Sequence, residues 1–328
     1  MRSESDPDIS LVIPVYNEVD VLDELLHSLT EVLSKIDCTY EIICIDDGST
    51  DGSLQKLLSM QTHIPSLRVF ELSRNFGKES ALSAGLDQAR GNAAIPFDAD
   101  IQDPPDLIPK MVAEWRNGYD VVLARRRSRT YDGWLKRLTA WAFYRTHNIL
   151  ADIDIPADVG DFRLMDRHVV EAVRALPERK RFMKGLFAWV GFRTTIIDFE
   201  RRGRRAGTTN WSFRQLWNLA LEAITSFSMV PLRLWLYVGA IVSIISFCYG
   251  SAIVIRTLFF GIDFPGYASM FSAIMFLGGL QLFCLGLLGE YVGRTYFETK
   301  QRPVYIIRKA YEQDEHQNKL DQNQQKQA

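Results

Sequence analysis

Ala93-Ala94-Ile95-Pro96-Phe97-Asp98-Ala99-Asp100-Ile101-Gln102-Asp103-Pro104-Pro105 is the stretch on which the reading of this chain turns. Its apolar first half reads as a buried strand. Asp103-Pro104-Pro105 reads as a helix start, with an acid at the N-cap and prolines in the first turn. Asp98 and Asp100 therefore lie on a short turn at the C-terminal lip of a strand, where ligands bind in open α/β sheets. Two carboxylates there suit Mg²⁺, which uses one or two of them and fills its shell with substrate phosphate and water. An Asp-x-Asp by itself is more often a pair of solvated turn acids, so the surrounding chain has to decide.

Strands and helices alternate on both sides of this stretch. Ser10 to Tyr16 reads as a strand, and Glu18 to Ile36 carries apolar residues at helical spacing. Tyr40 to Ile45 is a second strand, ending in the acidic turn Asp46-Asp47-Gly48-Ser49. Leu67 to Leu72 is a third strand. A small-residue helix from Glu79 to Arg90 closes at Gly91. After the Asp98 turn, a helix buries Leu107, Ile108, Met111, Val112 and Trp115, and Asp120 to Ala124 is another strand. The pattern predicts an α/β fold, a mostly parallel sheet with helices on both faces. The turns at Asp46-Asp47 and Asp98-Ala99-Asp100 should then open on one edge, as a nucleotide site requires. The chain has no Gly-x-Gly-x-x-Gly after the first strand and no P-loop, so phosphates must be held by a metal and side chains. Asp161 falls where a loop enters a strand, a place where a single acid usually caps a turn.

Composition narrows the function classes. A formal net charge of -2 argues against a nucleic-acid binder. The four cysteines are scattered and the five histidines lack ligand spacing, which argues against a disulfide framework or a zinc site. The charged N-terminus has no apolar core and predicts no signal peptide. Leu234 to Ile255 runs 22 positions and Phe264 to Gly289 runs 26 positions without a charged residue. A bilayer core needs about 20 helical residues, so two spans are expected, about 234–257 and 267–289, as a hairpin. Lys and Arg crowd both outer flanks, while the connecting loop has only Arg256. Both termini and the N-terminal domain are therefore expected on the cytosolic side of an inner (plasma) membrane. Trp211 to Met229, capped by Thr208-Thr209-Asn210, suits an amphipathic helix in the interface. Trp134 to Leu150 is a second aromatic and basic helical stretch. The expected domains are 1–207 (catalytic), 208–230 (interfacial helix), 231–295 (transmembrane hairpin) and 296–328 (cytosolic tail, disordered at its end). Gly278-Gly279 and Gly286 would allow close helix packing and a homo-oligomer.

Val12-Ile13-Pro14-Val15-Tyr16-Asn17-Glu18, Asp46-Asp47-Gly48-Ser49, Asn75-Phe76-Gly77-Lys78-Glu79 and Asp98-Ala99-Asp100-Ile101-Gln102-Asp103-Pro104 resemble family 2 glycosyltransferases of the GT-A fold. Gly160-Asp161-Phe162-Arg163-Leu164-Met165, Phe182-Met183-Lys184-Gly185 and Leu288-Gly289-Glu290-Tyr291-Val292-Gly293-Arg294 are similar to the polyprenyl-phosphate branch. That branch holds dolichyl-phosphate mannose synthases and bacterial bactoprenol glucosyltransferases. The resemblance runs from Asp8 to Lys309. It implies a nucleotide-sugar pocket of Pro14, Tyr16, Glu18, Asp46, Asp47, Lys78, Asp98, Gln102 and Arg204. It implies Mg²⁺ or Mn²⁺ on Asp100 and Asp98, catalytic roles for Asp98, Asp100 and Asp161, and Asp161 as the family's base. Arg125, Lys136, Arg137 and Arg163 are the expected cations for a lipid phosphate. Thr209-Asn210 departs from the Ser-Lys common in the branch and removes a cation from the loop Arg201 to Asn210.

The implied reaction moves glucose from UDP-glucose to undecaprenyl phosphate, for O-antigen or other cell-envelope glycans. A flippase and a second glycosyltransferase are the expected partners, because two spans are too few to pass the product across the membrane. Mannose, galactose or an amino-sugar would use the same motifs. A processive polysaccharide synthase would carry Gln-x-x-Arg-Trp and more spans. A non-catalytic scaffold with a transferase-like domain would not need intact acids at Asp47, Asp98, Asp100 and Asp161.

Overall fold

In the computed structural model the described residues are 6–126, 159–179, 181–199, 266–312 and scattered positions between 235 and 259. The chain divides into two units, one holding the sheet and one holding the apolar helices. Among the described residues the first unit has eight strands in one sheet. They are β1 (Ile9–Val15), β2 (Tyr40–Asp46), β3 (Leu67–Leu72), β4 (Ala93–Pro96), β5 (Val121–Arg126), β6 (Val159–Asp166), β7 (Thr194–Phe199) and β8 (Ile307–Tyr311), in the order β7-β5-β6-β4-β1-β2-β3-β8. Helices α1 (Leu22–Leu33), α2 (Ser53–Gln61), α3 (Lys78–Gln88), α4 (Ile108–Arg116), α5 (Arg167–Ala175) and α6 (Met183–Trp189) lie between them.

β1 is the centre because its residues are apolar on both sides, as a strand covered on two faces must be. Ile9, Leu11, Ile13 and Val15 share one core with Leu22, Leu25, Leu26, Leu29 and Leu33 of α1, Leu57 of α2 and Ile108, Met111 and Val112 of α4. On the opposite face α3 lies so close that a Cβ on Gly85 would come within 2.2 Å of Val12 Cγ1 and 3.2 Å of Ile45 Cγ1. Only glycine permits that approach. Helices thus cover both faces, as the alternating pattern predicts.

Pro14 stands inside β1, where a missing N–H normally breaks a ladder. Val12 faces β4, accepting from Phe97 N at 2.9 Å, and Val15 faces β2, accepting from Asp47 N at 2.8 Å. Pro14 shares the side of Val12, and the β4 register ends at Val12 opposite Pro96. Its absent donor therefore points where no strand remains to receive it.

β1, β2, β3 and β4 run parallel, and β7 runs parallel to β5. β6 is antiparallel to both β4 and β5, and β8 is antiparallel to β3. The direction of β6 brings its first residues to the lip where β2 and β4 end. β8 has no counterpart in the sequence reading, which placed everything after 296 in a tail. It adds to the edge of β3 with Arg308 Nη1 on Glu71 Oε1 at 2.8 Å and Tyr311 OH on Glu71 Oε2 at 3.1 Å. Further on, Glu312 joins the buried pair Arg68–Glu41 through Arg68 Nη2 at 2.5 Å. Ahead of β8, Tyr305 OH donates to Asp87 Oδ2 at the end of α3 (2.7 Å).

The helix expected to start at Asp103 starts later. A 3₁₀ turn spans Pro105–Leu107 and α4 follows from Ile108, while Pro104 stays extended because Pro105 follows it.

In the second unit, α7 (Tyr267–Thr299) is one continuous helix of 33 residues that runs past the expected end at Gly289. It contains the one segment among the described residues long and apolar enough to cross a membrane, Phe276–Thr299. Leu282, Phe283, Leu285 and Leu288 are exposed along it. Described positions between 235 and 259 are helical, and the Trp235 ring lies 4.9 Å from that of Phe283. The remainder of the first expected span lies outside the described residues. So do the stretches Trp134 to Leu150 and Trp211 to Met229. The end of the tail, from 313, lies outside them as well.

Candidate active site

Three loops meet at the lip, and each is held by a polar side chain from another. Asp47 Oδ1 accepts from Phe76 N at 2.7 Å and Oδ2 from Gly77 N at 2.9 Å. This closure needs Gly48, whose φ is 72° and where a Cβ would sit 2.8 Å from Asn75 N. Asn17, itself at φ 55°, accepts from Thr50 N at 2.8 Å, and Ser53 Oγ accepts from Glu18 N at 2.9 Å. Tyr16 stays 47% exposed beside the half-buried Pro14. Asp46 is buried and keeps Oδ1 without a partner among the described residues. Burial raises its pKa against the opposing hydrogen bonds from Ser49.

The Asp98 turn carries strain. Ile101 has φ 52°, a left-handed conformation that a β-branched residue adopts only when its surroundings impose it. Gln102, buried just beyond, donates its N–H to Asp100 Oδ1 at 3.3 Å.

Lys78, the first residue of α3, links this turn to β6. Its ammonium lies 2.7 Å from Asp98 Oδ1 and 2.7 Å from Asp161 Oδ2. The side chains are 45% exposed for Lys78, 31% for Asp98 and 10% for Asp161. Asp161 keeps Oδ1 buried without a partner among the described residues. Burial works to raise the Asp161 pKa, but Lys78, Lys184 and Arg163 outweigh it and hold the carboxyl below its usual range. The neighbouring Glu79 goes the other way, pushed up to about 7 by burial and by the charge of Asp161. Its Oε2 is buried without a partner among the described residues. Two nearby acids with opposite shifts are a pattern of sites that need one carboxylate ionised.

The structure brings together Asp98, Asp161 and Lys78, and sets the Asp46-Asp47 turn on the same lip. Two of the expected lipid-phosphate cations fall among the described residues, and both have other partners. Arg163 is buried under the Phe187 ring, 4.4 Å from its centroid, and donates to Gly160 O at 2.8 Å. Burial lowers its pKa to about 10. Arg125 forms a two-point pair with Asp198 of β7, at 2.7 and 3.2 Å. Lys136, Arg137 and Arg204 lie outside the described residues. Glu79 and Lys184 were not singled out from the sequence. Their only trace there was membership of two quoted motifs.

Among the described residues no three His, Cys, Asp or Glu side chains gather as a metal cage. Asp98 and Asp100 offer oxygen donors in the small number that Mg²⁺ or Mn²⁺ takes when phosphate completes its shell. The donor set fits such an ion.

Residues 10–174 match the family model described as glycosyl transferase family 2, and residues 230–295 match that of the GtrB C-terminal hairpin. The chain belongs to glycosyl transferase family 2, and with its GT-A-like α/β fold it is a glycosyltransferase. Among curated relatives it is 53% identical over 300 residues to an uncharacterized glycosyltransferase of Synechocystis sp., covering 92% of this chain and 94% of the relative. It is 47% identical over 303 residues to the bactoprenol glucosyl transferase of Shigella phage SfII, covering 92% and 98%. It is 46% identical to the prophage bactoprenol glucosyl transferase homolog of Escherichia coli K12, again covering 92% and 98%.

Proposed function

We propose that this enzyme transfers glucose from UDP-glucose to undecaprenyl phosphate at the cytosolic face of a membrane, in one inverting displacement. The observation that carries the reading is the meeting of Asp98 and Asp161 on Lys78, at the lip that also holds the Asp46-Asp47 turn. The near full-length likeness to bactoprenol glucosyl transferases supports the choice of sugar and acceptor. α7 and the match to the hairpin family support the membrane, with both termini cytosolic by the Lys and Arg distribution.

A phosphate oxygen of the acceptor attacks C1 of the sugar, the C1–O bond to the diphosphate breaks, and UDP leaves. The product is β-linked. A phosphate monoester has a second pKa near 6 and is largely ionised at neutral pH. Little proton removal is required, so Asp161, held ionised, orients the reacting groups and stabilises positive charge at C1. Tyr16, Pro14, Glu18, Asp46 and Asp47 form the nucleotide pocket. Asp98 and Asp100 would hold Mg²⁺ or Mn²⁺, which would supply positive charge against the leaving diphosphate. Lys78 offsets the charge of Asp98 and Asp161 and is positioned to meet donor phosphate.

The test is an assay of purified full-length protein with undecaprenyl phosphate and radiolabelled nucleotide sugars. Glucose incorporation that a chelator abolishes is the expected result. Transfer of mannose, galactose or an amino-sugar in preference to glucose would replace the donor. Failure to bind any UDP-sugar would overturn the reading.

A further inference from the structure

We propose that Lys184 binds the phosphate of the lipid acceptor, a role that rests on the function proposed above. A dianionic phosphate must come beside Asp161, with Glu79 behind it, and needs a cation not already committed. Arg163 is buried beneath Phe187, where Nη2 donates to Gly160 O, and an incoming lipid phosphate does not reach it. Arg125 is spent on Asp198. Lys78 is held between Asp98 and Asp161, on the donor side. Lys184 makes no ion pair or hydrogen bond among the described residues, and its half-buried side chain stays reachable.

Its placement is set by α6. Met183 Sδ lies 3.7 Å from Ser83 Oγ of α3, and Ser83 Oγ in turn donates to Glu79 O at 2.8 Å. One turn along α6, Phe187 covers Arg163 of β6. α6 therefore bridges α3, at Ser83, and β6, at Arg163. Lys184 stands between those two anchors, near enough to act on both Asp161 and Glu79. The motif Phe182-Met183-Lys184-Gly185 acquires a purpose on this account. Its apolar members seat the helix, and its lysine is left to meet the attacking phosphate.

The experiment compares wild type with Lys184→Ala and Lys184→Arg, full length in detergent. Initial rates are measured while undecaprenyl phosphate and UDP-glucose are varied separately, and UDP binding is followed by calorimetry. Loss of one charge-assisted contact raises KM for undecaprenyl phosphate roughly 10- to 100-fold in Lys184→Ala. Lys184→Arg restores most of it, and UDP affinity stays at the wild-type value, which also reports that the variant is folded. An unchanged acceptor KM overturns the proposal. So does a rise confined to UDP-glucose, which would assign Lys184 to the donor diphosphate. A variant that no longer binds UDP is replaced by Lys184→Gln, judged by the same two constants. If wild type itself transfers nothing to undecaprenyl phosphate, the parent reading fails and this assignment falls with it.

Discussion

At Asp161 the charges around the carboxylate determine what it can do. Lys78 lies 2.7 Å from Oδ2 and helps keep the group ionised, while the attacking phosphate needs little help losing a proton. Asp161→Asn is therefore expected to keep UDP affinity and to lose less rate than the roughly 10²- to 10⁴-fold that removing a general base brings. Turnover measurements decide it, and complete loss of turnover with intact donor binding would make Asp161 a base. Glu79 carries a different consequence. Its pKa is near 4.5 unfolded and about 7 folded, so the folded protein holds a proton that the unfolded chain has released. The stability from this group is full below about pH 4.5 and is lost as pH rises toward about 7. Glu79→Gln lacks that slope. The difference in melting temperature between variant and wild type should move in the variant's favour from about pH 5 to about pH 8; a difference flat in pH rejects the assignment.

At the scale of elements, β8 is the part whose contribution is easiest to isolate. It covers the edge of β3, satisfies Glu71 through Arg308 and Tyr311, and is followed by Glu312 on Arg68. An uncovered strand edge is a template for misassociation. Truncation after Arg302 should lower the melting temperature of the catalytic unit by several degrees, equivalent to a few kcal/mol for lost hydrogen bonds and a broken buried network. Truncation after Glu312 keeps the strand and should leave the melting temperature of that unit near wild type. Equal melting curves for the two truncations would show that β8 adds nothing. The strand escaped the sequence reading because Ile307-Arg308-Lys309-Ala310-Tyr311 alternates weakly and carries two charges in five residues. It is a strand because β3 offers it an edge, a cause no local pattern records. α3 escaped in the opposite sense: its small residues predicted a helix, but not that Gly85 lets it lie directly on Val12 and Ile45.

For the whole molecule, the apolar helix is where the proposed membrane attachment can be tested. Leu282, Phe283, Leu285 and Leu288 are exposed on α7, and the proposed membrane would take them out of water. Leu282→Arg puts a charge near the middle of the apolar stretch, costing about 2.5 to 3.5 kcal/mol on insertion scales. The variant should appear in the alkali-extractable fraction of cell membranes, or be degraded, while wild type stays with the lipid. A Leu282→Arg protein that resists extraction as wild type does would argue that this helix does not insert.

The alternation of strands and helices, the two acidic turns and the long apolar runs were legible in the sequence, because each is a local pattern with a local physical cause. From them followed the α/β sheet with covered faces and the meeting of Asp46-Asp47 with Asp98-Ala99-Asp100 at one lip. Tertiary structure alone decided that β6 runs antiparallel and so delivers Asp161 to that lip. It alone decided that Lys78 bridges Asp98 and Asp161, that Arg163 is buried under an aromatic ring, and that Lys184 acts on Asp161 and Glu79 without an ion pair or hydrogen bond among the described residues. Charges far apart in the chain acquire their partners only through strand direction and packing, and at this site those partners determine which groups remain to meet a phosphate.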